Sequence, residues 1–444
     1  MDKTLEKIYS MSSEQIEQGQ KFAMVGGGTP GPILVKGKGV RIEDIDGNQY
    51  IDCTSQSWAM YLGFANEEVN QALHEHMQHY THVHQGFHTP SRLYLVNKLI
   101  EIAPKGFDKV SFTVGGGPAV EAAMKIGLRN VPGSKSMISL WDAYHGSILS
   151  AASMSWIGTR TRGFTGQQNF ISKLNPEVRV PNPYCYRCFF KDSPEKCSLQ
   201  CAEFLRETII RGVNGPPAGF VLEPIQASGG QIPAPKRYLQ RVREICDEFS
   251  IPLIFDEIQT YCRIGEWFAA TYYDVKPDII VLGKGLGAGL PIAAIMVDEK
   301  LEGFSMKAEE LHTFANNSLS QVGAIKLIDI IERENILENV RKMGKYLVDG
   351  IEKLQKEIPQ IGDIRGVGLH IGVEFVKDPN TREKDEDLAV AVRSEGLKQG
   401  AIFGLGGANR NVLKVKPPLI VTQSEADEIL AILGKTIRNV IKNQ

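Results

Sequence analysis

Two stretches decide the predicted fold: PLIFDEIQ (residues 252–259) and DIIVLGKGLGAGLP (residues 278–291). Each contains an apolar run of strand length that ends at a charged residue, Asp256 in the first and Lys284 in the second. Upstream, the apolar runs KVSFTV, SMISL and GFVLEP alternate with amphipathic stretches, and a helix is predicted from about residue 236 to 249. This alternation predicts an α/β domain with a mainly parallel sheet flanked by helices.

The two ends of the chain depart from this alternation. Near the N-terminus, residues 35–53 alternate apolar side chains around the turn signal Asp46-Gly47-Asn48 and predict an antiparallel hairpin. A helix capped by Asn66 follows. Past residue 320 the pattern is typical of a smaller α+β domain. We therefore expect an N-terminal segment over 1–60 that packs with the small domain, a large domain over 61–320 and a small C-terminal domain over 321–444.

Composition narrows the class of partner. Of the 444 residues, 42% are hydrophobic and 23% are charged, so the chain can bury a large core. A formal net charge of -2 gives no reason to expect nucleic acid or an anionic membrane, which leaves small molecules as the expected partners. No uncharged apolar run approaches the roughly 20 residues of a membrane span, and the first residues lack the apolar region of a signal peptide. We expect a cytoplasmic protein.

The charged residues that follow the apolar runs carry the candidate chemistry, because open α/β sheets gather ligands at the carboxyl ends of their strands. Glu223, Asp256 and Lys284 all lie there. A partly desolvated amine has a lowered pKa, so Lys284 could condense with an aldehyde. Asp256 needs a cationic or hydrogen-bonding partner, and a protonated pyridine nitrogen would serve. The alternatives are a surface lysine, and a carboxylate that caps a helix or forms a salt bridge.

A glycine turn supplies a second candidate contact. In VSFTVGGGPAVEAAMKIGLRN, three glycines join a strand to a helix, and such a turn exposes backbone N–H groups suited to a phosphate. A merely tight turn is the alternative.

Several ordered motifs resemble one enzyme family. Besides the stretch around Lys284, they are EPIQASGG (223–230), DEIQTYCRIGEWFA (256–269) and HTFANNS (312–318). Together they resemble the class III aminotransferases, which depend on pyridoxal 5'-phosphate (PLP). The similarity extends from DIDGNQYIDC near the start to VKPPLIVT near the end. It implies PLP fold type I and a homodimer with active sites at the subunit interface.

The resemblance also implies which residues contact the cofactor ring. Lys284 would form the Schiff base with PLP, and Asp256 would bind the pyridine nitrogen. Gln259 would contact the 3-hydroxyl, and Glu223 would support Gln259 and the network at that edge of the ring.

Further implied contacts concern the ring face and the phosphate. Tyr144 would stack on the ring, with His145 as its neighbour, while Gly116 and Gly117 would bind phosphate through backbone amides. Thr313 would reach the phosphate of the other subunit. The family usually has SGTEA or SGSEA where this chain has GGGPA, so side-chain hydroxyl contacts are missing and we expect weaker cofactor retention than usual.

Three positions concern the substrate. Trp58 matches an aromatic residue that lines the substrate pocket, with core packing as the alternative. Lys414 stands where many members have an arginine that binds the substrate carboxylate with two parallel hydrogen bonds, and lysine offers only a point charge. Ser228 lies in ASGG, where members that use glutamate often carry a gating glutamate. This stretch resembles dialkylglycine decarboxylase instead.

The expected function is therefore a PLP-dependent aminotransferase that moves an amino group from an amine or amino acid to an oxo acid, with pyruvate favoured. Decarboxylation of the dialkylglycine type, racemisation or epimerisation, and elimination remain alternatives, because they use the same electron sink. A binding protein without turnover would have lost Lys284 or Asp256, and neither is lost.

A cysteine cluster stands apart from this site. Its spacing, Cys185-x2-Cys188-x8-Cys197-x3-Cys201, is compatible with zinc or an iron–sulfur cluster. Free thiols in a surface insertion are the favoured interpretation, so no metal is expected.

Overall fold

The computed structural model describes residues 2–24, 31–155 and 178–443. Its strands, numbered in chain order, are β1 (Leu34–Lys38), β2 (Arg41–Asp44), β3 (Gln49–Cys53), β4 (Phe107–Thr113), β5 (Ile138–Leu140), β6 (Val178–Val180), β7 (Phe220–Leu222), β8 (Ile225–Gln226), β9 (Ile232–Pro233), β10 (Leu253–Asp256), β11 (Ile279–Leu282), β12 (Ala293–Asp298), β13 (Ile361–Val367), β14 (His370–Phe375), β15 (Ala401–Gly406) and β16 (Val412–Val415).

A seven-stranded sheet of order β4-β12-β11-β10-β7-β5-β6 forms the centre of the fold. Strands β11, β10, β7, β5 and β6 pair in parallel, whereas β12 runs antiparallel to both of its neighbours. Every residue of β10, β11 and β12 is buried, as expected for strands covered on both faces. The predicted α/β class with a mainly parallel sheet is confirmed.

A second seven-stranded sheet joins the two ends of the chain, in the order β1-β2-β3-β15-β16-β14-β13. The pair β2–β3 is antiparallel, which confirms the predicted hairpin, and Gly47 in its turn has a φ of +83°. Strand β15 pairs in parallel with β3. The domain boundaries at residues 60 and 320 stay a prediction.

Helices cover both sheets. The helix Glu67–Met77 begins at Asn66, whose side chain accepts a hydrogen bond from the Val69 N–H, which confirms the predicted cap. No helix in the described ranges is both long enough and apolar enough to cross a membrane. The remaining helices are Lys3–Tyr9, Ser13–Phe22, Ser55–Trp58, Pro90–Ile102, Gly116–Asn130, Leu149–Ser153, Gln200–Arg211, Lys236–Glu248, Ala269–Tyr273, Ser318–Arg333, Ile336–Glu357, Glu386–Lys398 and Gln423–Lys442, with 3-10 turns at Cys185–Arg187 and Lys284–Gly287.

The helix Gly116–Asn130 lies close against the central sheet. It buries Ala119, Val120 and Ala123, and a Cβ at Gly127 would lie 2.3 Å from the carbonyl oxygen of Ala218. This close approach holds the first turn of the helix next to the carboxyl ends of the parallel strands.

Candidate active site

A cavity of about 280 Å³ opens at the carboxyl ends of the parallel strands. Asp256 is the last residue of β10, Glu223 follows β7, and Lys284 follows β11 by two residues. Strand β10 pairs with both β7 and β11, so the three charged groups meet at one edge of the sheet. The lining residues are Gly116, Gly117, Tyr144, His145, Gly146, Ser147, Glu223, Asp256, Ile258, Gln259 and Lys284.

Lys284 projects into this cavity from a constrained backbone. Its φ is +45°, in the left-handed region that costs energy for any residue with a Cβ. The next residue has to be glycine, because a Cβ at Gly285 would lie 2.3 Å from the ring of Tyr61. Burial lowers the pKa of Lys284, against the opposing effect of the Asp256 and Glu223 carboxylates. A lowered pKa raises the share of the neutral, nucleophilic amine.

Asp256 is 4% exposed and has hydrogen-bond partners on both oxygens. Its Oδ1 accepts from the Ile258 N–H at 3.1 Å, and its Oδ2 lies 2.7 Å from Nδ1 of His145. A carboxylate partner favours the tautomer in which Nδ1 carries the proton. Among the described residues, Nε2 of the buried His145 has no hydrogen-bond partner. The sequence indicated His145 only as a neighbour of Tyr144, and its contact with Asp256 comes from the tertiary structure.

Glu223 is fixed by backbone donors. The Tyr144 N–H donates to Oε1 at 3.0 Å and the Ala227 N–H to Oε2 at 2.9 Å. Burial raises the pKa of Glu223, an effect that the neighbouring His145 opposes. Tyr144 contacts Ser147 at 2.8 Å through its hydroxyl.

Gln259 lines the same cavity with a different partner. Its Oε1 accepts a hydrogen bond from Nζ of Lys416 at 2.7 Å, whereas the recorded bonds of the Glu223 carboxylate go to backbone amides. Gln259 therefore has a lysine partner that the sequence interpretation missed, and the expected support from Glu223 stays a prediction. A signal was present: Lys414 and Lys416 are two residues apart at the end of β16, so they face the same side of the strand.

The glycine turn closes another wall of the cavity. The helix Gly116–Asn130 begins directly after Gly115, and its first N–H groups have no partner within the helix. A Cβ at Gly116 would lie 2.7 Å from Cδ1 of Ile258, and one at Gly117 would lie 3.3 Å from Cγ1 of Ile148. Because Gly116 and Gly117 also line the cavity, the N–H groups of this helix N-terminus lie where an anion in the cavity could accept from them.

Trp58 stands on a left-handed turn. The φ angles of Ser55, Gln56, Ser57 and Trp58 are 46°, 42°, 59° and 68°, a run that residues with a Cβ rarely adopt. The turn brings the indole ring over two lysines, with Nζ of Lys414 at 4.6 Å and Nζ of Lys416 at 5.0 Å from the ring centre.

Both of these lysines are buried, Lys414 at 2% and Lys416 at 0% exposure. Burial lowers the pKa of Lys414 to about 7, and burial together with the charges of Arg263 and Lys414 lowers the pKa of Lys416 well below its usual value. Neither lysine is among the residues that line the cavity, and neither is Trp58.

Two further predicted residues lie outside the cavity lining. Ser228 is buried, and its carbonyl oxygen accepts a hydrogen bond from the Gly407 N–H at 3.0 Å. Thr313 is exposed on the surface. The expected contact of Thr313 with the phosphate of a second subunit stays a prediction.

The four clustered cysteines are free thiols in the structure. Sγ of Cys197 accepts a hydrogen bond from the Leu199 N–H at 3.4 Å. Within residues 2–24, 31–155 and 178–443, no group of three or more histidine, cysteine, aspartate or glutamate side chains is arranged to hold a metal ion.

Comparison with known proteins places this site in a family. The aminotransferase class-III family matches residues 26–437. The chain is 33% identical over 417 residues to a leucine/methionine racemase of Thermococcus litoralis, and the match covers 92% of this chain and 91% of the racemase. It is also 33% identical over 430 residues to the adenosylmethionine-8-amino-7-oxononanoate aminotransferase of Geobacter sulfurreducens, and the match covers 92% of each chain.

Solved structures agree with this assignment. A Bacillus anthracis aminotransferase has a TM-score of 0.87 and 26% identity, and the match covers 97% of this chain and 100% of that one. The predicted PLP fold type I is confirmed. By sequence and by fold, this chain belongs to the class III aminotransferase family.

Proposed function

We propose that this protein is a PLP-dependent aminotransferase that transfers an amino group from an amine or amino acid to an oxo acid, with pyruvate as the favoured acceptor. The observation that carries the proposal is the convergence of Lys284, the Asp256–His145 pair and the N-terminus of the helix Gly116–Asn130 on one cavity. Membership of a PLP-dependent family supports it.

The residues in the cavity fit this cofactor. A phosphate needs N–H donors, and the first turn of the helix at Gly116 and Gly117, which line the cavity, offers them. A protonated ring nitrogen needs a buried carboxylate, and Asp256 is held for that role by His145 and the Ile258 N–H. The aldehyde needs a neutral amine, which the lowered pKa of Lys284 provides.

When bound, PLP supplies an electrophilic carbon and a ring that accepts electrons. Lys284 acts first as the amine that holds the cofactor and then as the group that moves a proton at the α-carbon of the substrate. Asp256 would hold a proton on the ring nitrogen, and His145 orients Asp256 for that role. Tyr144 would stack on the ring, and Glu223 accepts a hydrogen bond from the Tyr144 N–H and so fixes the backbone at that position.

The substrate side of the proposal involves Lys414, Trp58 and Ser228. Lys414 offers a positive charge to a substrate carboxylate when it is protonated, and Trp58 shields that charge from water. We also propose a homodimer in which Thr313 reaches the phosphate site of the second subunit, and a cytoplasmic location.

Amino-acid racemisation is the second candidate, because the racemase of Thermococcus litoralis is as similar to this chain as the aminotransferase named above. Both reactions need Lys284 and Asp256 in the same positions. They differ in where the amino group ends: transamination transfers it to the cofactor and releases a carbonyl product, whereas racemisation leaves it on the substrate.

Product analysis tests the proposal. Purified protein is incubated with PLP, a panel of amines and amino acids, and pyruvate or 2-oxoglutarate, and every product is followed by chromatography. We expect alanine and a new carbonyl product in equal amounts. Inversion of the α-carbon without a keto acid would instead identify a racemase. Lys284→Ala should remove turnover, whereas Lys353→Ala, at an exposed helix position, should not change it.

A further inference from the structure

Lys416 is a buried lysine to which the proposed chemistry assigns no role. It follows strand β16 and has 0% exposure. A lysine is rarely buried in this way unless its amine has a partner, because an unpaired amine in the interior costs free energy. Nζ of Lys416 donates a hydrogen bond to Oε1 of Gln259 at 2.7 Å.

The backbone of Lys416 is held on both sides. Its N–H donates to the carbonyl oxygen of Cys53 at 2.8 Å, and its carbonyl oxygen accepts from Oγ of Ser55 at 2.8 Å. Arg263 donates to the same Ser55 hydroxyl at 2.9 Å and to the carbonyl oxygen of Pro417 at 2.9 Å. The backbone at Lys416 is therefore held by residues 53–55 and by Arg263.

The turn that carries Gln259 is equally constrained. The buried carboxylate of Glu257 accepts hydrogen bonds from Oγ1 of Thr260 at 2.9 Å and from the Ala270 N–H at 2.9 Å. Asp256 accepts from the Ile258 N–H at 3.1 Å. The hydrogen bond between Lys416 and Gln259 therefore joins two segments whose neighbouring residues are each held by further hydrogen bonds.

This bond decides which end of the Gln259 amide faces the cavity. An amide presents its oxygen on one side and its two N–H donors on the other. Since Oε1 faces Lys416, the Nε2 donors are directed away from Lys416, and Gln259 itself lines the cavity.

We propose that Lys416 is a positioning residue that holds the Gln259 amide with its N–H donors toward the cavity, where they meet an acceptor oxygen at the edge of the cofactor ring. The inference rests on the proposed function, because it assumes that PLP occupies the cavity. A lysine that only filled space under Trp58 would have no effect on Gln259.

A double-mutant cycle on the full-length protein tests this role. The dissociation constant of PLP is measured by quenching of tryptophan fluorescence for wild type, Lys416→Met, Gln259→Met and the double variant. Methionine is unbranched like lysine and one atom shorter, so it retains most of the packing but cannot donate. We expect Lys416→Met to weaken PLP binding about tenfold, the effect of roughly one hydrogen bond, and to have almost no further effect in the Gln259→Met background.

Lys414→Met is the matched control. It removes a second buried amine from beneath Trp58 that is not bonded to Gln259. Its effect on PLP binding should be the same size with and without Gln259→Met. Coupling of Lys414 to Gln259 as strong as that of Lys416 would mean that the cycle reports a general electrostatic effect, and the proposal would be wrong.

A second variant covers the case in which Lys416→Met does not fold. Gln259→Glu keeps an oxygen toward Lys416 but presents no N–H to the cavity. It should fold, as thermal unfolding without cofactor would show, and should bind PLP about as weakly as Gln259→Met. Wild-type affinity in this variant would overturn the proposal.

The pH dependence of the bound cofactor's absorbance gives a second readout. Without a hydrogen bond to the oxygen at the ring edge, the neighbouring Schiff-base nitrogen becomes more basic. The pH at which the absorbance of the bound cofactor changes should therefore be higher in Lys416→Met than in wild type. If Lys416→Met had the same absorbance titration and the same PLP affinity as wild type, the role of Lys416 would be contradicted while the proposed function would stand. Failure of the wild-type protein to bind PLP, or equal binding by Lys284→Ala, would instead contradict the proposed function.

Discussion

Nδ1 of His145 lies 2.7 Å from Oδ2 of Asp256, and the two residues are 111 positions apart in the chain. His145 follows strand β5, whereas Asp256 ends strand β10, and strand β7 lies between these two strands in the sheet. The contact satisfies a carboxylate that is 4% exposed, and it fixes the direction in which that carboxylate faces the cavity.

Removal of the His145 imidazole should therefore weaken catalysis, because Asp256 would lose the partner that orients it. We expect His145→Phe to lower kcat/KM roughly 10- to 100-fold, as is usual when a supporting hydrogen bond is removed from a reactive group. His145→Asn should retain most of the activity, because its amide nitrogen can occupy the place of Nδ1. Steady-state kinetics over a range of pH measures both variants, and an equal loss in the two would contradict a role through this hydrogen bond.

Adjacent glycines in the phosphate turn should respond differently to alanine. A Cβ at Gly116 would lie 2.7 Å from Cδ1 of Ile258, so Gly116→Ala should lower the free energy of unfolding by about 1 kcal/mol and weaken PLP binding. Among the described residues other than its two chain neighbours, no atom lies within 4 Å of a Cβ at Gly115, whose φ of 177° suits any residue. Gly115→Ala should therefore change stability by less than about 0.5 kcal/mol.

Urea unfolding of the cofactor-free protein measures these effects. Adding Ile258→Val, which removes Cδ1, should restore much of the stability lost in Gly116→Ala. The steric explanation would be wrong if Ile258→Val gave no recovery.

Lys414 should make stability depend on pH. Burial lowers its pKa to about 7, whereas the unfolded chain keeps the usual value of 10.5. Between these two values the unfolded state binds the additional proton, so the free energy of unfolding rises with pH. Below pH 7 both states carry the proton, and this contribution is constant at its lowest value.

Lys414→Met removes this dependence. From pH 7 to pH 9, the free energy of unfolding of the wild type should rise by about 2 kcal/mol relative to that of the variant. Chemical unfolding at several pH values measures the difference, with Lys353→Met as an exposed control that should follow the wild type. Parallel curves for wild type and Lys414→Met would show that Lys414 stays protonated in the folded state.

Arg263 should be essential for stability. Its side chain is fully buried and donates to Oγ of Ser55 and to the carbonyl oxygens of Pro417 and Leu369. Arg263→Met would leave these acceptors without their donor, and we expect the free energy of unfolding to fall by about 3 kcal/mol. Arg393→Met, at an exposed helix position, should change it by less than about 0.5 kcal/mol. Thermal and urea unfolding compare the two.

Local patterns predicted much of the fold. Apolar runs of strand length identified β4, β5, β7, β10 and β11, and the Asn66 cap identified the start of a helix. Both signals are short in range, because they depend on residues that are adjacent in one strand or within one turn of a helix.

The strand pattern was enough to predict that Asp256 and Lys284 come together, because parallel strands all present their carboxyl ends at one edge of a sheet. The sequence by itself also determined a glycine turn at the start of a helix. The contacts of His145 with Asp256 and of Lys416 with Gln259 became visible only in the folded chain. The physical reason is distance along the chain: Gln259 and Lys416 are 157 residues apart and belong to different parts of the fold. Periodicity shows which face of a strand a side chain occupies, but packing between distant segments selects its partner.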